Sequence, residues 1–244
     1  LVIGNEILRA QVTDTNSNFI CKHLYRCGVK VKKISVISDD VDEIAQEIKE
    51  FSGKYTHVIT SGGIGPTHDD VTFQGLAKAF DDNLYCHPTL VKIIKTYFHI
   101  ENPLSPIFKP AYIPKQAILK FTINSDTNLP SNFPCIILKN VYVFPGSPAF
   151  LQVNFKNLYK ILFDTKKRFI QQELFLNASE DVFANALSTA SKEFPNIVFG
   201  SYPEEAKNYK VRVTIEGDEK TEIKKARERF CNLIPSNIVV DYTK

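Results

Sequence analysis

The chain has 244 residues, 43% of them hydrophobic, and 30 Lys plus Arg against 27 Asp plus Glu leave a net charge of +3. That length holds one large domain or a medium and a small one, no uncharged apolar run of about 18 residues is present to span a membrane, and so balanced a charge gives no electrostatic case for nucleic acid. Five scattered cysteines, Cys21, Cys27, Cys86, Cys135 and Cys231, suit neither a disulfide scaffold nor a zinc site and point to a reducing compartment, cytoplasmic or, compatibly, mitochondrial.

Met and Trp are both absent, and the lack of Met is unusual at this length. The chain opens inside the strand-like run Leu1-Val2-Ile3, with neither Met nor a cationic leader, so its native start is expected upstream. Asn16 to Cys27 carries Phe19, Ile20, Leu24 and Cys27 at helical spacing, and Gly28 closes that helix. The β-branched run Val29 to Ile37 predicts a strand. Ser38-Asp39-Asp40 then caps a helix with Val41, Ile44, Ala45, Ile48 and Phe51 on one face. Thr56 to Thr60 predicts a buried strand that ends in glycines, and a helix follows over Thr72 to Phe80.

A helix is expected near Pro88 to His99, then a loop-rich stretch containing Pro103, Pro106, Pro110, Pro114, Pro130 and Pro134. Val141 to Phe144 reads as a strand ending in Pro145-Gly146-Ser147-Pro148, followed by a connecting helix, Phe150 to Phe163. The pattern then changes. Strands at Glu173 to Leu176, Ile197 to Tyr202, Tyr209 to Glu216 and Ile238 to Tyr242 alternate with helices capped at Ser179 and spanning Lys220 to Leu233. That β-α-β-β-α-β order is the ferredoxin-like split motif. The expectation is therefore α/β for residues 1–152, with a mostly parallel sheet between helical layers, a helical connector over 153–170, and a small α+β domain over 171–244.

Ligands of such sheets sit beyond the carboxyl ends of the strands. The strongest motif lies there: Thr60-Ser61-Gly62-Gly63-Ile64-Gly65-Pro66-Thr67-His68-Asp69-Asp70-Val71-Thr72. Its glycines let backbone amides approach a phosphate, and the next helix offers a positive N-terminus. Asp69 and Asp70 would repel a bare phosphate, a conflict that a divalent cation resolves. The alternative is structural, with Asp69 capping the helix and Asp70 in its first turn. Gly4-Asn5-Glu6-Ile7-Leu8 with Asp14-Thr15-Asn16 follows another strand end, where Asp14 is equally suited to cap a helix. Phe144-Pro145-Gly146-Ser147-Pro148 is a third such turn.

Together these motifs resemble the molybdopterin-binding fold of the MoaB, MogA and gephyrin group. The spelling Gly-Gly-Ile-Gly-Pro-Thr-His-Asp-Asp-Val-Thr is similar to the branch containing competence-damage proteins and the N-terminal domain of eukaryotic FAD synthases. The resemblance covers essentially the whole chain. It implies a metal-dependent nucleotide diphosphatase that splits FAD, or a related dinucleotide, to FMN and AMP. By that resemblance Asp69 and Asp70 hold Mg²⁺, Mn²⁺ or Co²⁺, and Glu6 is a further ligand or the base for the attacking water. Gly62, Gly63 and Gly65 cradle the diphosphate, Gly146 and Ser147 close the far side, and Asn5, Asn16, Ser61, Thr67 and His68 complete the substrate site. His68 steadies a phosphate oxygen, joins the metal, or is simply a structural hydrogen-bonder.

The resemblance further implies a homo-oligomer and a C-terminal domain carrying FAD synthesis beyond Lys244. Asn5 stands where that branch usually has Asp, Ala10 where it has Gly, and Ala149 where an acidic residue is common. These departures motivate an alternative, a non-catalytic nucleotide- or pterin-binding domain that regulates an attached FMN adenylyltransferase. The helix at Lys220 to Leu233 is basic, but Glu219, Glu222 and Glu228 interleave with its cations and no Gly-x-x-Gly clamp of a KH domain is present. A packing role is expected for the small domain, and RNA binding is not.

Overall fold

The computed structural model describes residues 1–102, 104–123, 133–204 and 208–241. They form two compact units, Leu1–Thr165 and Lys166–Lys244. No helix among the described residues is long and apolar enough to cross a membrane.

The first unit starts with β1 (Val2–Ile3), α1 (Asn5–Leu8), α2 (Asn16–Arg26), β2 (Val36–Ile37), α3 (Val41–Lys54), β3 (Val58–Ser61) and α4 (Thr72–Ala79). It continues with β4 (Leu84–Cys86), α5 (Pro88–Phe98), a 3-10 segment at Pro106–Ala111, β5 (Tyr112–Pro114), β6 (Ile118–Lys120), β7 (Cys135–Leu138), β8 (Val141–Phe144) and α6 (Pro148–Phe163). Six strands form one sheet in the order β2-β1-β3-β8-β7-β6. The first four are parallel, and β7 and β6 turn antiparallel at one side. The parallel strands are short, apolar and covered on both faces, as such sheets require. Ile44, Ile48, Phe51, Leu76, Leu90 and Ile94 from α3, α4 and α5 pack in one core with Ile3, Val58, Val141 and Val143. Ile20 and Leu24 of α2 and Leu151, Phe155 and Leu158 of α6 pack in another with Cys135, Ile137 and Phe144. The result is the expected three-layer α/β/α arrangement with a mostly parallel sheet.

Local chemistry sets the helix ends. The Asp40 carboxylate accepts from the amides of Asp42 and Glu43 and starts α3. Asp14 accepts from the Ser17 amide at 2.9 Å and starts α2, the structural alternative weighed for it. Gly28, at φ +71°, ends the same helix in the left-handed region. The helix expected as a connector, α6, is held by Leu151, Phe155, Leu158 and Phe163 inside the first unit.

Three expectations are corrected. The run Val29 to Ile37 is a strand only at Val36–Ile37, because β1 offers just two residues to pair with and Lys30, Lys32 and Lys33 interrupt the rest. The loop-rich stretch ending at Pro134 contains β6, and β7 follows it where no element was expected; their pairing to each other and to β8 is long-range and leaves no local period. Gly4-Asn5-Glu6-Ile7-Leu8, placed after a strand end with no element assigned to it, contains a single helical turn, α1. Pro103 and Pro130 lie outside the described residues.

The second unit contains β9 (Ile170–Leu176), α7 (Glu180–Glu193), β10 (Val198–Pro203), β11 (Val211–Gly217), α8 (Lys220–Leu233) and β12 (Val239–Val240). Its sheet is antiparallel in the order β10-β11-β9-β12, the ferredoxin-like topology. Alternation along β11 puts Val211, Val213 and Ile215 into a core with Phe183 and Ala190 of α7 and Ile223, Ala226 and Phe230 of α8. Tyr242, assigned to the last strand, lies outside the described residues.

Ala10 ends α1 at φ +55°, a conformation that costs a residue with a Cβ about 1 kcal/mol relative to glycine. Ala10→Gly is accordingly expected to stabilise the chain by about 0.5–1 kcal/mol, read as a rise in the urea midpoint at unchanged slope.

Candidate functional site

The carboxyl ends of four parallel strands meet at one edge of the sheet, and they meet closely. The Gly4 amide donates to the Ile37 carbonyl at 3.1 Å, joining the ends of β1 and β2. The Gly62 amide donates to the Phe144 carbonyl at 3.2 Å, joining β3 to β8. A Cβ on Gly62 would lie 2.0 Å from the Ile3 carbonyl oxygen, and one on Gly146 would lie 3.2 Å from the Gly62 Cα. Gly62 and Gly63 sit at φ +109° and +65°, where residues with side chains are strained. Only glycine lets these turns touch.

Two buried polar side chains lock the junction. Asn16, 7% exposed, donates from Nδ2 to the Ser61 Oγ at 3.1 Å and to the Gly146 carbonyl at 2.7 Å. Its Oδ1 is buried and finds no protein partner, leaving an acceptor at the junction of the loops. Thr72, fully buried, donates from Oγ1 to the Gly62 carbonyl at 2.8 Å, and its amide donates to the Gly63 carbonyl at 2.9 Å. The start of α4 is thereby fixed to the glycines. Ser147 precedes α6 at the exposed rim, with no capping hydrogen bond from its side chain.

Asp69 and Asp70 do not cap α4, whose N-cap position is Val71. They close their own loop instead. The Asp70 Oδ2 accepts from the Thr67 amide at 2.8 Å and from the Thr67 Oγ1 at 2.5 Å, and the Asp69 Oδ1 accepts from the same hydroxyl at 2.6 Å. Gly65 makes room, since a Cβ there would fall 2.6 Å from the Asp70 Oδ2. The Thr67 hydroxyl, helped by the Asp69 amide and the nearby His68 and Lys109, holds the Asp69 carboxyl below the usual carboxylate range. His68 is not a structural hydrogen-bonder of the core: its side chain is 97% exposed, with Nδ1 3.8 Å from the Asp69 Oδ1.

Glu6 curls back over Gly4, where a Cβ would meet its Oε1 at 2.6 Å. The Asn5 amide donates to the Asp39 Oδ2 at 2.8 Å. Partial burial pushes the Asp39 carboxyl up; the Asn5 amide opposes this, and the negative charges of Glu6, Asp69 and Asp70 add to it. Glu6, Asp69 and Asp70 therefore all lie near enough to Asp39 for their charges to bear on it. Among the described residues, however, no group of three or more His, Cys, Asp or Glu is close enough to hold a metal as it stands.

The sequence missed two participants. Asp39 was read with Ser38 and Asp40 as a helix cap, and only Asp40 fills that role; its place two residues past the end of a strand was the available signal. Lys109, in the 3-10 segment, donates to the Thr67 carbonyl and to the His68 carbonyl at 3.3 Å. It lies far away in sequence within a proline-rich stretch and carried no local signal.

Fold and loops define an α/β protein with closely packed glycine turns and a group of carboxylates at the carboxyl ends of a mostly parallel sheet, followed in the chain by a ferredoxin-like unit. The family model described as "Probable molybdopterin binding domain" matches residues 1–164, and the chain belongs to that family. Residues 168–243 match the model described as "FAD synthase, middle domain". A Caenorhabditis elegans protein named "Probable FAD synthase" is 34% identical over 98% of this chain and 50% of its own length. An Archaeoglobus fulgidus protein is 32% identical over 95% of both chains. The crystal structure of CinA from Thermoplasma acidophilum superposes with a TM-score of 0.57 at 28% identity, covering 66% of this chain and 96% of that one. The chain spans about half the length of the FAD synthase relatives it matches.

Gly62→Ala is expected to cost roughly 2–3 kcal/mol, from both the positive φ and the clash with the Ile3 carbonyl, measured by urea denaturation. Asp39 tests the electrostatics. Its folded-state pKa is raised, so its ionisation opposes folding, and stability is lost as pH rises through that pKa. Asp39→Asn retains an acceptor for the Asn5 amide and removes the charge. It is expected to raise the Tm by about 1–2 °C at pH 7, with the gain shrinking toward pH 4.

Proposed function

We propose that this chain hydrolyses FAD, or a closely related dinucleotide diphosphate, to FMN and AMP with a divalent cation, Mg²⁺, Mn²⁺ or Co²⁺. One observation carries the reading: glycine turns packed against one another at the strand ends, with Glu6, Asp39, Asp69 and Asp70 on the segments that follow β1, β2 and β3. FAD synthase relatives and a matching FAD synthase middle-domain model support a flavin substrate and a flavin-related enzyme.

The donor set suits a hard cation. Carboxylate oxygens are the right ligands, and their mutual repulsion at Asp39 marks negative charge that a cation would relieve. A cation of the Mg²⁺ type usually takes one or two carboxylates and completes its shell with waters and substrate phosphates, so a preformed cage is not required. Asp69 and Asp70 would hold it, with Asp39 beside them and Glu6 free to act as the base. Charge neutralisation on the diphosphate and a lowered pKa for water are what such a cation supplies when bound.

The chain's own groups do the rest. Gly62, Gly63 and Gly65 let the diphosphate approach the backbone, and exposed His68 offers a donor beside it, whereas Ser61 is buried and the Thr67 amide and hydroxyl are taken by Asp70 and Asp69. Gly146 and Ser147 bound the far side, kept in register by Asn16, and Asn5 holds Asp39 in place. Glu6 takes the proton of the water as its oxygen bonds to phosphorus. The bond to the bridging oxygen breaks, and the two phosphates leave on separate mononucleotides.

A second reading, a non-catalytic nucleotide- or pterin-binding domain that regulates an attached synthase, is favoured by Asn5 and by the lack of a ready-made metal cage among the described residues. Incubation with FAD and each metal separates the two. The hydrolytic reading expects FMN and AMP in equal amounts and a loss of roughly 100-fold or more in Asp69→Ala. FAD binding without turnover would select the regulatory reading.

A further inference from the structure

We propose that Lys109 is a positioning residue, a strap that sets the geometry of the loop carrying Asp69 and Asp70; its bearing on catalysis rests on the hydrolytic reading above. The strap is anchored firmly. Lys109 lies between Phe108, 4% exposed, and Ala111, fully buried, both in the main core of the first unit. Pro106 and Pro110 restrict the backbone on either side, and the Ala111 carbonyl accepts from the His87 amide at 2.8 Å. A rigid segment thus delivers one ammonium group to an exposed loop.

That ammonium donates to two successive carbonyls, those of Thr67 and His68. In a planar trans peptide the carbonyl and the following amide point in opposite directions. Drawing both carbonyls to Lys109 therefore turns the amides of His68 and Asp69 away from it. The Asp69 amide then reaches its own carboxylate, one of the contacts that hold that carboxyl low. The His68 amide is turned to the same side. Within the loop, the Thr67 amide and hydroxyl already serve Asp70 and Asp69, so the loop has internal ties at Thr67 and one external tie at Lys109. Cutting the external tie frees two peptide planes to rotate, and with them the Asp69 carboxylate.

The ammonium also offsets the acidic charge, since its own charge is among those that favour the ionised form of Asp69. Arginine in its place has enough donors for two carbonyls and keeps the charge, whereas methionine keeps the stem and loses both.

Amide hydrogen exchange across residues 65–71 of Lys109→Met, Lys109→Arg and the unaltered chain decides the matter, with thermal melts run alongside. The expected result is an increase of about tenfold or more in exchange at Thr67 and Asp70, whose amides are hydrogen-bonded inside the loop, in Lys109→Met, with the Tm nearly retained and Lys109→Arg close to the unaltered chain. FAD turnover should fall by about tenfold in Lys109→Met, chiefly in kcat rather than KM, and recover in Lys109→Arg. Unchanged exchange in Lys109→Met overturns the proposal, and so does faster exchange with unchanged turnover. If the unaltered chain does not hydrolyse FAD, the hydrolytic reading fails, and the strap is then judged on exchange and its rescue by arginine.

Discussion

The structure of the site depends on one steric condition: the Gly62 backbone must lie against the Ile3 carbonyl on one side and the Gly146 Cα on the other. No side chain fits between them. The contact is what lets the ends of β1, β3 and β8 converge, and Asn16 and Thr72 are buried as hydrogen-bonding ties around it. Each tie would cost about 1–3 kcal/mol if its partner were removed, because a polar group would be left dry. The glycine turns are consequently tied closely together, while the carboxylates are carried on turns beside them.

Opposite electrostatic demands meet at these strand ends. Glycine loops and the start of α4 present amide hydrogens, which favour anions. Four carboxylates stand nearby, which disfavours them. The protein separates the carboxylates by environment: Thr67 and its own amide stabilise ionised Asp69, while burial and like charge work against ionised Asp39. Carboxyl groups pushed in opposite directions within one site are a common basis for dividing roles in acid–base and metal-assisted chemistry. Lys109 and His68 are the basic side chains coupled to Asp69, and Lys109 acts through backbone carbonyls rather than by pairing with a carboxylate.

The ferredoxin-like unit is built on different terms. Strict alternation along β11 and the apolar faces of α7 and α8 account for its core. The charged residues of α8 are absorbed locally, as where Arg229 pairs with Glu193 through two hydrogen bonds of 2.7 and 2.8 Å. Arg212 likewise reaches Glu204 and Glu173.

Sequence alone determined the elements whose information is local. The periods of α2, α3 and α8, the Asp40 cap, the alternation in β11 and the glycines after β3 are properties of a few adjacent residues, and each could be read without the fold. Tertiary structure decided what depends on partners distant in the chain. Whether Val29 to Ile37 forms a strand turned on how much of β1 was there to pair with, and β6 and β7 exist because β8 is beside them. The same division runs through the site: Asp69 and Asp70 were visible in their motif, but Asp39 joins them only because β2 lies beside β1, and Lys109 only because a core-anchored segment some forty residues on folds back to the loop. Hydrogen bonds and Coulomb forces act across space, and sequence spacing reports them only when the chain is locally regular.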